Sequence, residues 1–259
     1  MPFEGPAPAR PPSPHGAMAV AAKRLAQPPA AADLRGPTAP HTCDLARSPG
    51  EVVKFYSRVS RLFEAWGRVV DSRARARVLE LCAVTDGDAV LEVGVGSGSQ
   101  LAALATATPS GRTLGVDLAD GMIRHARRRL RAVGAAHAEV LRADARRLPL
   151  ADHSFDVVTS AYVLDILPWD DIRRALRECH RVLRPGGRLV LCHVTPGERG
   201  LHRIGDHLYG SGVPLTGNCR GIRLAALLEE FGFEQITREY SVQFLLPSEI
   251  LAARAPRTS

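Results

Sequence analysis

The sequence predicts an α/β protein built on a doubly wound, mostly parallel sheet. Three observations carry that expectation. From residue 88 onward, short apolar segments alternate with amphipathic segments of helical length, the pattern of successive strand–helix units. The first apolar segment, Val90-Leu91-Glu92-Val93, runs directly into Gly94-Val95-Gly96-Ser97-Gly98-Ser99, a glycine-rich turn ahead of a helix-like stretch. The second, Leu114-Gly115-Val116-Asp117, ends on a carboxylate.

Each element follows from its local pattern. Residues 1–48 are rich in proline, alanine and glycine and poor in large apolar side chains. Such a segment cannot offset its ordering entropy and is expected to be disordered. It lacks the apolar core of a secretory signal, and its arginines and few acids leave organelle targeting open. Residues 49–259 are expected to form a single domain. Val52, Tyr56, Val59, Phe63, Trp66 and Val70 recur at helical spacing and predict a helix over 51–70, with a second over 72–84. Strands are expected at 89–94, 112–117, 137–142, 155–161 and 187–194, and helices at 99–107, 120–132, 170–183 and 222–232. Pro185-Gly186-Gly187 should break the fourth of these helices and turn the chain into the fifth strand. Residues 237–245 and 250–255 read as two strands joined by a turn at Pro247, pairing antiparallel at the sheet edge. Right-handed crossovers place the strand carboxyl ends on one edge, where a ligand belongs.

The spacing of the glycine turn discriminates between ligands. Gly94-x-Gly96-x-Gly98 is not the G-x-G-x-x-G of nicotinamide enzymes, because Ser99 stands where that pattern needs its third glycine. Glu92, two residues before the first glycine, is a poor neighbour for a pyrophosphate and a reasonable one for an ammonium or sulfonium cation. Asp117 can accept both hydroxyls of a ribose.

Composition narrows the function classes. The chain has 259 residues, 45% of them hydrophobic, enough for one sizeable α/β domain, and no apolar run approaches a membrane-spanning length. The net charge of +7 is compatible with peripheral contact with an anionic membrane, although runs such as Arg127-Arg128-Arg129 ordinarily form a solvated helix face. No nucleic-acid recognition motif or aromatic-interleaved basic patch is present, so no nucleic-acid partner is expected. Cys43, Cys82, Cys179, Cys192 and Cys219 show no metal spacing; no metal site is expected, and the thiols read as reduced in a cytoplasmic compartment.

Four blocks, in order, resemble the class I S-adenosylmethionine-dependent methyltransferases, and more narrowly the UbiE/MenG-like quinone methyltransferases and bacterial phosphatidylethanolamine N-methyltransferases. They are Val90–Ser99; Gly115–Met122; Ala143–Pro149 with Ser154–Val158; and Arg181–Gly187. The resemblance implies a Rossmann-like, seven-stranded sheet with an antiparallel C-terminal edge strand and extra N-terminal helices. It implies S-adenosylmethionine as cofactor and a small-molecule or lipid acceptor, a quinone precursor or a phospholipid amine. It further implies that Glu92, Gly94, Gly96 and Gly98 border the methionine and ribose, that Asp117 holds the ribose, and that Leu118 and Met122 face the adenine. Asp144 and the Ala145 backbone would meet the adenine edge, and Ser160 with Ala161 the methionine end. Asp156 is either a further contact or a turn cap.

Methyl transfer needs a general base only when the acceptor must lose a proton. Candidates are Tyr162 and Asp165, expected to face the pocket after the fourth strand, His193 near the end of the fifth, and His202. The substrate wall is expected from 51–70, 162–169 and an insertion at 197–221 suited to a lid. Phe63-Glu64 stands where quinone methyltransferases often carry Tyr-Asp, and Asp165 where many relatives place a histidine. Two readings of other classes remain open at this stage: a non-catalytic cofactor-binding or regulatory module, and a nicotinamide-dependent oxidoreductase.

Overall fold

The computed structural model describes residues 72–198, 221–243 and 246–257. The expected disorder of 1–48, the helix over 51–70, most of the 197–221 insertion and His202 lie outside these residues.

Helix α1 (Ser72–Cys82) precedes strand β1 (Ala89–Val93), α2 (Ser99–Ala107), β2 (Arg112–Asp117), α3 (Asp120–Ala132), β3 (Ala138–Arg142) and β4 (Phe155–Ala161). A short 3-10 turn (Leu164–Ile166) leads to α4 (Trp169–Val182), β5 (Leu183–Val194), α5 (Ala225–Glu230), β6 (Glu234–Gln243) and β7 (Leu246–Arg254). The seven strands form one sheet in the order β3-β2-β1-β4-β5-β7-β6. The strands β1 to β5 pair in parallel, and β7 joins β5 and β6 antiparallel. The order reverses between β1 and β4, so the crevice at their carboxyl ends is the topological switch point where such sheets take ligands.

Strand periodicity divides the core into two layers. Leu91, Val93, Leu114, Val116, Leu189, Leu191 and Leu251 face α4 and α5, packing against Ile172, Leu176, Leu224 and Leu228. On the other face, Val90, Val157, Val190 and Ile250 meet Ala74, Val78 and Cys82 of α1, while Leu101, Ala105, Ala126 and Leu130 of α2 and α3 pack on Val140. Strands covered on both sides account for the continuous apolar runs of the sequence.

Two of the departures from the expected boundaries bear on the sheet. Pro247 does not make the turn; it lies in β7 opposite Val242. A proline costs a strand only its N–H, and the Pro247 carbonyl still accepts from Thr195 N at 3.0 Å. The strand β7 therefore begins earlier than expected and sits inside the sheet, with β6 at its edge. Pro185-Gly186-Gly187 lies within the span of β5 rather than before it: Leu183 already pairs with Phe155, and the register resumes only at Val157 opposite Arg188. Gly186 absorbs the excursion with φ +75°.

Cys82, Cys179 and Cys192 are buried, and burial pushes the Cys82 and Cys179 thiols up to about 12, which makes these two inert packing groups. Arg124, Arg127, Arg128 and Arg131 of α3 are exposed, as a solvated face requires. Among the described residues no helix is long and apolar enough to cross a membrane.

Candidate active site

The site is built on the β1–α2 turn. Gly94 N and Val95 N both donate to the Val116 carbonyl, at 2.8 and 3.1 Å, which straps the turn to the end of β2. The three glycines then do different work. A Cβ on Gly94 would lie 2.1 Å from Val163 Cγ2, so Gly94 makes room for the chain after β4. A Cβ on Gly98 would lie 2.6 Å from Ala126 Cα, so Gly98 lets α2 start against the backbone of α3. Gly96, at φ +52°, has nothing within 4 Å of its Cβ position. Of the three glycines expected to border a ligand together, only Gly96 opens onto free space.

Asp117 ends β2 and uses both oxygens locally. Its Oδ2 accepts from Gly96 N and its Oδ1 from Ala119 N, each at 2.9 Å. It thus positions the turn and the entry to α3, and each oxygen keeps a lone pair for a ligand hydroxyl. Burial raises its pKa, against the pull of these backbone donors.

Glu92 is 1% exposed, and its Oε2 has no hydrogen-bond partner. Burial pushes its carboxyl up to about 8; the Asp117 charge adds to the rise, while Arg75 and the Leu101 N–H oppose it. Directly across from Glu92 in register lies Thr159 of β4, whose Oγ1 accepts from Gln100 Nε2 at 3.2 Å; Gln100 Oε1 is a second buried acceptor without a partner. Two carboxyl groups raised by burial and an orphan amide oxygen make a site that an added positive charge would stabilise, by holding Glu92 ionised. An ammonium or a sulfonium suits it, and a pyrophosphate does not. Gln100 was not singled out from sequence; the signal was its place in the first turn after the glycine loop.

The remaining expected residues distribute less evenly. Met122 is buried and Leu118 half-buried beside the start of α3. Ser160 is 2% exposed and its hydroxyl donates to the Val93 carbonyl at 2.9 Å, tying β4 to β1. Ala145 is half-buried. Asp144 is gripped by Arg146, whose Nη2 reaches Oδ2 at 2.6 Å and whose Nη1 reaches Asp171 on α4 at 2.8 Å. That bond to Arg146 lowers the Asp144 pKa. Asp156 lies at the amino end of β4, accepting from Ala89 N at 2.8 Å and pairing with Arg184, so it ties the start of β4 to the start of β1.

Two base candidates already have partners in the fold. The β4–β5 ladder ends where Tyr162 N donates to the Cys192 carbonyl at 2.8 Å, leaving Val194 N without a strand partner. Asp165, 0% exposed, supplies that partner through Oδ2 at 2.9 Å, so one oxygen of its carboxylate extends the ladder. Tyr162 adopts φ +58°, its hydroxyl meets Ser248 Oγ at 2.9 Å, and Arg75 lies 5.4 Å over its ring. It packs toward α1. His193 is 0% exposed and its Nε2 meets Glu249 Oε2 at 3.1 Å.

Known proteins agree with this geometry. A methyltransferase-domain family model matches residues 90–187. The demethylmenaquinone methyltransferase of Clavibacter sepedonicus is 33% identical over 174 residues, covering 66% of this chain and 69% of that protein. The chain belongs to the S-adenosylmethionine-dependent methyltransferases. The ubiquinone/menaquinone biosynthesis C-methyltransferase UbiE of Ectopseudomonas mendocina is 33% identical over 182 residues, 61% of this methyltransferase and 70% of the relative. Among solved structures, the [4+2]-cyclase SpnF superposes with a TM-score of 0.68 at 22% identity, over 82% of this chain and 98% of that one. A methyltransferase of Aquifex aeolicus superposes with a TM-score of 0.56 at 22% identity, over 81% and 99%. These two likenesses concern the fold. The cofactor of this methyltransferase is S-adenosylmethionine, and the buried acceptors around Glu92 and Asp117 fit its cationic amino-acid end and its ribose.

Proposed function

We propose that this methyltransferase, a single domain over residues 49–259, methylates a quinone precursor in its reduced form. The observation that carries the reading is the likeness to demethylmenaquinone methyltransferases, with the unpartnered buried oxygens of Glu92 and Gln100 in the crevice between β1 and β4 beside it. In this reading Asp117 takes the ribose hydroxyls, the open Gly96 backbone lies against the ligand, and Glu92 with Gln100 receives the ammonium end. Leu118 and Met122 flank the adenine, the Ala145 backbone meets its edge, and Asp144 turns a free lone pair to its amino group. Gly94 and Gly98 act indirectly, by letting Val163 and α3 close on the turn. Ser160 fixes the floor between β1 and β4.

The bound cofactor supplies a methyl group already activated by a positive sulfur. The protein's task is alignment and exclusion of water, the terms that govern an in-line transfer. Phospholipid amines are the second acceptor class, and contact with an anionic membrane would bring either acceptor within reach. The test is incubation of purified protein with methyl-labelled cofactor and a short-tailed demethylmenaquinol, followed by mass analysis of the product. A product heavier by one methyl on a ring carbon supports the proposal. Turnover of phosphatidylethanolamine with none of the quinol would replace it.

A further inference from the structure

At the carboxyl end of β5, on the face toward α4, two buried polar atoms have no partner among the described residues: His193 Nδ1 and Thr195 Oγ1. Both residues are 0% exposed. Two positions apart along an extended chain, they lie on one face, about 7 Å from each other. An orphaned buried polar atom costs roughly 1–3 kcal/mol, and two together on the ligand edge of the sheet are uncommon in a native fold.

The other nitrogen of the ring is strongly held. His193 and Glu249 are register partners on β5 and β7, and Glu249 is 1% exposed. Glu249 Oε1 also receives Arg238 Nε of β6, and Arg238 Nη2 pairs with Glu198, which lies 4.0 Å from Arg223. Burial works to raise the Glu249 pKa, but its bonds to His193 and Arg238 prevail and lower it, so the carboxylate is ionised. The four charges Glu249, Arg238, Glu198 and Arg223 alternate in sign along a chain of ion pairs. An ionised carboxylate only accepts. The hydrogen of this bond therefore sits on Nε2, and in the neutral ring Nδ1 is the nitrogen that accepts.

We propose that His193 is the proton acceptor for a hydroxyl of the methyl acceptor and that Glu249 is its positioning residue. This rests on the quinol reading above and deepens it. An amine attacks a methyl group with a lone pair it already has; the ring carbon of an aromatic quinol attacks well only after a ring hydroxyl loses its proton. The strand β5 is the neighbour of β4 and two strands from β1, about 10 Å away at ordinary strand spacing. A ring lying over β4 therefore spans from the cofactor crevice to His193. As the hydroxyl O–H bond breaks, its proton passes to Nδ1 and the electron pair moves into the ring. The ring carbon uses that pair to form the new bond to the methyl group, while the sulfur keeps the pair of the bond it loses. The ring carbon then loses its own proton while the oxygen takes one back from the His193 imidazolium, which restores the aromatic hydroxyl and the neutral histidine, so that one proton is released overall. Glu249 orients the ring and balances the imidazolium charge; Thr195 is placed to bond a second oxygen of the acceptor.

Histidine-selective 15N labelling with long-range proton–nitrogen correlation tests the dyad in the full chain. The resonances of His193, assigned by their loss in His193→Asn, should show hydrogen on Nε2 and none on Nδ1. Adding demethylated cofactor and a short-tailed demethylmenaquinol should move the Nδ1 resonance toward the hydrogen-bonded range. In turnover, His193→Asn should lower kcat by roughly a hundredfold or more, the usual scale of a general base, with KM and cofactor affinity within about threefold. Glu249→Gln, which keeps the shape, should lower kcat about tenfold with KM unchanged. A proton found on Nδ1 in the free protein overturns the proposal. So does a kcat that survives both substitutions while only the melting temperature falls, which would make His193 a structural residue. If the wild type neither binds nor methylates the quinol, the acceptor reading fails, and the tautomer in the free protein alone decides the dyad.

Discussion

Replacing Gly98 with alanine separates glycines that serve packing from glycines that serve the ligand. At Gly98, φ is +76°, and a new Cβ would stand 2.6 Å from Ala126 Cα and 2.7 Å from Ala126 Cβ. The obstacle is the body of α3, which cannot rotate away as a long side chain can. Left-handed backbone costs an alanine about 1–2 kcal/mol, and forcing a methyl group into a packed interface adds about 1–3 kcal/mol. Gly96 has φ +52° and nothing within 4 Å of its Cβ position, so Gly96→Ala bears the backbone cost alone. The difference between the two variants is thus the packing cost, about 1–3 kcal/mol, or about 2–4 °C of melting temperature per kcal/mol. Urea denaturation gives the stabilities, and calorimetry with the demethylated cofactor gives the affinities. Gly98→Ala should be the less stable protein and Gly96→Ala the poorer binder. Equal stabilities, or an affinity loss confined to Gly98→Ala, would refute the division of labour.

Other expectations follow from the same site. Asp117→Ala should weaken cofactor binding about tenfold or more and also lower stability by about 1–3 kcal/mol, because Gly96 N and Ala119 N lose their acceptor; calorimetry and denaturation read the two effects separately. Glu92→Gln should stabilise the ligand-free protein relative to wild type, by a margin that grows with pH. The folded carboxyl titrates near 8, above its unfolded value of 4.5, so the folded state holds the extra proton between those pH values and wild-type stability falls as pH rises through that window. The gap in melting temperature between the two proteins should widen up to about pH 8 and be flat above it, and a constant gap would reject the assigned burial. Arg146→Ala should cost about 1–2 kcal/mol by removing the bridge from Asp144 to Asp171, with cofactor affinity unchanged or tighter, since it releases Asp144; a large loss of affinity would mean that Arg146 itself touches the ligand.

Periodicity and glycine spacing made most of the framework legible. The spans of α2, α3, β2 and β4 agree with the apolar patterns, and the glycine turn with its two acids marked the cofactor crevice. These are local matters: a strand buried on both faces must be apolar throughout, and a strand that meets a helix in a tight turn needs residues that accept positive φ. What each site residue touches was not local. That Gly98 meets α3, that Asp165 completes the ladder at Val194, and that Pro247 sits inside a strand depend on neighbours distant in sequence. The pairing of His193 with Glu249 depends on the register of β5 against β7, which no spacing along either strand reveals. Residue type and order therefore determined the family, the cofactor and the edge of the sheet that binds it. Only the tertiary structure decided which side chains on that edge are already bonded and which still have a lone pair to offer, because hydrogen-bond partners are assigned by proximity in space and not by sequence.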